Sequence, residues 1–113
     1  MRHHYTPGQT RMLISRARRQ LEQIIDGACA SGTANRNITR SAHPLLHETV
    51  VSLIRLFREH VPGAAGVATR IAREYAKGAD VQSGAPTLDC VKRILSVVRQ
   101  AGEQYLSDRA EMH

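Results

Sequence analysis

The chain has 113 residues and a formal charge of +6, with fourteen Arg against two Lys, one Phe, three Tyr and no Trp. That length makes a single domain over 1–113, with a thin aliphatic core that suits helices packed through alanine better than a sheet. Nothing approaches the eighteen or so apolar residues needed to span a bilayer, which excludes a membrane protein of that kind.

Residues 1–5, MRHHY, read as a loose basic tail. Residues 1–20 are rich in Arg and lack the apolar run of a secretory leader. Together with two cysteines far apart in sequence, this gives a reduced, cytoplasmic setting as the expectation. Thr6-Pro7-Gly8-Gln9 opens the first helix. Thr6 caps it, Pro7 suits the first helical position and Gln9 stands where a capping box needs its return partner.

That helix is expected to reach Ala28. Leu13, Ala17, Leu21, Ile24, Ile25 and Ala28 make its apolar face, with Met12 and Ile14 flanking. Arg11, Arg16, Arg18 and Arg19 fall on its other sides, concentrated in the first half. A helix dipole disfavours cations there by a few tenths of a kcal/mol each, so the placement hints at another use. Residues 29–41 then form a polar loop of about a dozen residues carrying Arg36 and Arg40. Through Ser41 the chain has seven Arg against two acids; beyond it, nine bases against eight acids. The positive charge therefore belongs to the first third.

Pro44 to Phe57, PLLHETVVSLIRLF, is the most apolar stretch. Leu46, Val50, Leu53, Ile54, Phe57 and Val61 recur at helical spacing, and Leu45, Thr49 and Leu56 widen the stripe. A stripe this broad needs neighbours on more than one side, as in the central post of a bundle. Ser41 or His43 is the expected cap, with Pro44 in the first turn, and Val61-Pro62-Gly63 ends the helix.

A third helix is predicted over 63–76, with Ala64, Val67, Ala68, Ile71, Ala72 and Tyr75 inward and Gly78 as its stop. After the loop 78–86, Thr87 caps a last helix with Asp89 in its first turn. Its stripe is Leu88, Val91, Ile94, Leu95, Val98 and Tyr105, and residues 107–113 are expected to fray. The fold class is all-α, a compact bundle of about four principal helices.

No motif names an activity. His43 and His47 have metal-ligand spacing, but no HExxH order accompanies them, and capping or solvated histidines account for both. No metal and no cofactor are expected. Glu74, Asp80 and Asp89 sit where capping and solubility explain them, and no phosphate loop or nucleophile elbow is present, so the chain reads as non-enzymatic. Residues 66–98 have the ingredients of a helix-turn-helix, but the connection is about twice too long, which favours an ordinary helix hairpin. Cys29 and Cys90 read as small core residues.

Two functions remain. The leading one is duplex DNA binding, with Arg11, Arg16, Arg18, Arg19, Arg36 and Arg40 on phosphates. The alternative is a protein-protein module docking on an acidic partner surface, such as the inhibitors and adaptors that phages and plasmids encode. The scarcity of aromatics argues against stacking on single-stranded bases. Val51 and Val97, off the main stripes, leave room for a homodimer.

Overall fold

A computed structural model describes residues 5–30, 37–79 and 84–106. Met1 to His4, Arg36, Asp80 and residues 107–113 lie outside the described residues. Four α-helices make up the described chain: α1 (Pro7–Ala30), α2 (His43–Glu59), α3 (Ala65–Lys77) and α4 (Leu88–Leu106). A 3-10 turn, Arg40–Ala42, leads into α2.

Helix α1, about 36 Å long at 1.5 Å per residue, opens with a reciprocal capping box. The Gln9 N–H donates to Thr6 Oγ1 at 3.1 Å and the Thr6 N–H donates to Gln9 Oε1 at 2.9 Å. Thr10, whose hydroxyl donates to the Thr6 carbonyl at 3.1 Å, is buried at the start of the inner face. That face is Thr10, Ile14, Ala17, Leu21, Ile24 and Ala28. It is rotated from the expected one: Ile14 is buried, while Leu13 is half-buried on the side of α2.

Helix α2 buries Leu46, Thr49, Val50, Leu53, Leu56 and Phe57. Its entry differs from expectation. Ala42 is the N-cap and no side chain caps the helix; His43 is already helical. The turn is closed instead by the Ala42 N–H on the Thr39 carbonyl at 3.0 Å, and Pro44 starts the helix as predicted. At the other end Gly63, at φ +77°, supplies the left-handed residue that lets the chain reverse into α3. Ala64, Ala68 and Ile71 of that segment are fully buried, and the two alanines allow close approach.

The helices pack as a ring, α1 against α2, α2 against α3, α3 against α4 and α4 against α1. Contacts along their lengths set the directions. Tyr5, at the start of α1, stacks on His60 at the end of α2, and Gln20 bonds Thr49, so α1 and α2 run antiparallel. His47 near the start of α2 meets Tyr75 near the end of α3. Cys90 at the start of α4 donates to the Glu74 carbonyl near the end of α3 at 3.4 Å.

The α3–α4 connection is pinned by Thr87. Its N–H and its hydroxyl both donate to the Gly78 carbonyl at 3.0 Å, and its oxygen accepts the Cys90 N–H at 3.1 Å as the N-cap of α4. Gly78 has φ −87°, so it is not the left-handed stop that was expected. It is required for proximity: a Cβ there would overlap the Cys90 side chain and lie 2.8 Å from the Glu74 carbonyl oxygen. Residues 37–39 also depart from the loop reading. Ile38 is buried in the core, held by its N–H on the Pro86 carbonyl at 3.3 Å.

Of the two cysteines, both free, only Cys90 is a core residue; Cys29 is exposed. Val97 is buried within its own chain and so is not available to a second copy, whereas Val51 stays exposed.

Two outcomes follow. Gly78→Ala should lower stability by about 1–3 kcal/mol, the range for overpacking, and Gly78→Ala with Cys90→Ala should recover part of that loss in urea unfolding. The Cys90 thiol, pushed up to about 11 by burial and then by Glu74 and Asp89, stays protonated at pH 8. A thiol-disulfide reagent at that pH should titrate one thiol per native chain, Cys29, and two after unfolding; two fast thiols in the native protein would contradict this packing.

Candidate functional site

At about 100° per residue, positions 16, 18 and 19 of α1 point in three directions. Arg18 lies one turn before Glu22, whose carboxylate is 3.9 Å from Arg99 of α4, so Arg18 and Arg11, two turns apart, face the α4 side. Arg16 instead lines the groove between α1 and α2. Arg19 is exposed between them, and Arg40 is exposed in the turn ahead of α2. Arg36 lies outside the described residues. The four arginines of α1 therefore do not make one stripe along it.

A different set converges. Antiparallel packing of α1 and α2 puts Arg55 of α2 on the same groove as Arg16. Arg58, one turn on, borders the recess beside the α2–α3 turn with Tyr5 and His60. Arg55 and Arg58 were not read as site residues from sequence. Their signal was present, two bases on the polar face of the central helix, but which helix would lie alongside was not.

The groove holds about 310 Å³. Its floor is aliphatic: Leu13 and Ala17 from α1, Leu45, Leu53 and Leu56 from α2. Thr49, 2% exposed, closes the middle, its one hydroxyl proton shared between the Leu45 carbonyl at 2.7 Å and Gln20 Oε1 at 3.0 Å. At one end the Tyr5 and His60 rings are 4.1 Å apart. His60 Nδ1 is buried with no hydrogen-bond partner, while its Nε2 is 3.9 Å from Glu59.

Charge is distributed unevenly around the bundle. Two bases of α3 and α4 are paired within that hairpin. Lys77 Nζ is 3.0 Å from Glu74, and Arg93 is 3.1 Å from Asp89 and 3.9 Å from Glu74. The Lys77 hydrogen bond, with Lys77, Arg93 and Arg70 charge beside it, holds the Glu74 carboxyl below its usual range against the opposing effect of desolvation. Arg93, one of the bases that a helix-turn-helix reading would send to DNA, is thus engaged within the hairpin. Arg16, Arg19, Arg55 and Arg58 form no ion pair with any described residue.

The described histidines, His43, His47 and His60, do not assemble into a metal site. His47 Nδ1 is 3.3 Å from the Tyr75 hydroxyl, whose own ionisation is pushed up by burial. His43 is half-buried at the start of α2. Among the described residues no group of three His, Cys, Asp or Glu is placed to hold a metal ion. No helix among them is long and apolar enough to cross a membrane. Compared with known proteins, the chain matches no family model, no curated protein and no solved structure.

Because Lys77 is the first cause of the Glu74 shift, Lys77→Ala should raise the Glu74 titration midpoint toward the ordinary carboxylate value in a carbon-detected NMR titration. The pair's contribution is present above that range and is lost as pH falls through it. An unmoved midpoint would contradict the assignment.

Proposed function

We propose that the protein is a non-enzymatic binding protein that engages duplex nucleic acid through its α1–α2 face. The observation that supports this is the set of four exposed guanidinium groups there, Arg16, Arg19, Arg55 and Arg58, none ion-paired to a described carboxylate, whereas Lys77 and Arg93 of the α3–α4 hairpin are. Groups already paired must break a contact to meet a phosphate; these four need not. Guanidinium forks suit phosphate oxygens, and each contact releases condensed counterions. The reading keeps Arg16 and Arg19 of the sequence set, adds Arg55 and Arg58, and leaves Arg11 and Arg18 turned toward α4.

Four phosphate contacts predict a log–log salt slope of roughly −3 to −4, so affinity should fall about a hundredfold between 50 and 200 mM salt. In fluorescence anisotropy with a mixed-sequence duplex, R16E/R19E should lose binding. R70E/R73E, with the same change in net charge on the exposed face of α3, should retain it. Equal loss in both variants would reduce the effect to net charge and overturn the assignment to α1–α2.

A partner protein with an acidic surface is the second reading. Met12 and Val51, 56% and 41% exposed on α1 and α2, favour it, since a phosphate backbone has no use for them. Its mark is an affinity carried by an apolar centre, which falls less steeply with salt than phosphate contacts do.

A further inference from the structure

We propose that the groove between α1 and α2 is a binding site for a small amphipathic organic anion, an apolar body of ring or short-chain size carrying one carboxylate, sulfonate or phosphate. Three observations point there together. The groove volume, about 310 Å³, lies at the small end of ligand cavities, which run from roughly 300 to 1,000 Å³ and occur between helices of bundles. Leu13, Leu53 and Leu56 along its floor offer contact to carbon and nothing to a charge. Arg16 and Arg55, one from each helix, line the same groove with no ion pair to any described residue, so an anionic head has two forked donors to meet.

His60 and Tyr5 close one end of the groove with ring surface, so the apolar body of the ligand has carbon to meet there as well. Thr49 is engaged by Gln20 Oε1 and the Leu45 carbonyl, so its hydroxyl makes no competing demand in the middle of the groove. Glu48 is the one acid among the lining residues, which leaves the lining cationic. A second copy of the chain would set arginine against arginine at this face and is the poorer occupant.

The site shares Arg16 and Arg55 with the nucleic-acid reading but does not rest on it, and uncharged blocking of the groove separates the two. The probe is 1-anilinonaphthalene-8-sulfonate, an apolar ring system with one negative charge, titrated into the folded full chain and followed by fluorescence. Its uncharged relative N-phenyl-1-naphthylamine runs alongside. The expected result is saturable binding at one site per chain, weaker by tenfold or more for the uncharged probe. R16Q/R55Q should weaken the sulfonate probe tenfold or more, and R70Q/R73Q should leave it unchanged. Ser52→Trp, at an exposed lining position, fills the groove without changing charge; it should abolish probe binding while duplex binding persists. Equal affinity for the two probes, several sites per chain, or undiminished binding in either R16Q/R55Q or Ser52→Trp would overturn the proposal.

Discussion

The structure depends on burying the two-sided apolar face of α2. Leu46, Val50, Leu53 and Phe57 of that helix are each no more than 1% exposed, which one neighbour cannot achieve. A stripe that broad requires a helix on each flank, and α1 and α3 take those places while α4 closes the ring. Fully burying side chains of this size is worth about 1.5–3 kcal/mol each before packing and entropy are counted. The short turn at Gly63 and the capping contacts at Thr6 and Thr87 then only have to fix where each helix begins.

The same constraint explains what could be read in advance. Apolar spacing over 44–61 specified a central helix, and local chemistry specified ends wherever it was self-contained. The Thr6/Gln9 box and the Thr87 cap need only residues three apart, and both form as the spacing implies. What could not be read needed a second segment. Ile38 sits in a polar stretch, and only the Pro86 carbonyl from the far end of the chain shows why it is buried. Gly78 does end α3, as its place in the sequence implies, but only the packing shows that the absent Cβ leaves room for Cys90. Val97 was one apolar residue too many for a single stripe, yet it is buried within the bundle. Cys29, read as core, falls next to buried Ala28 and faces solvent.

The basic site shows the limit most clearly. Charge tallied along the chain assigned the positive character to the first third, and Arg16 and Arg19 do lie on an open face. Linear tallying treated Arg11 and Arg18 as their equals, although a turn of 100° per residue separates neighbours on α1 onto different sides. It also undervalued Arg55 and Arg58, which come from a segment whose net charge is nearly balanced. The pairing is itself uneven in space: Glu74 and Asp89 hold Lys77 and Arg93 within the α3–α4 hairpin, while Arg55 and Arg58 of α2 meet no described carboxylate. Electrostatic patches are properties of packed faces, so they become visible only once the helices have neighbours.

The central claim is that the α1–α2 face is the binding surface, and a map of backbone amide shifts on adding a mixed-sequence duplex at low salt tests it most directly. The account predicts that shifts concentrate at Arg16, Arg19, Arg55 and Arg58 and that Thr69 to Arg73 of α3 stay in place. Shifts centred on α3 or on the start of α4 would contradict it, as would a folded protein that shows none.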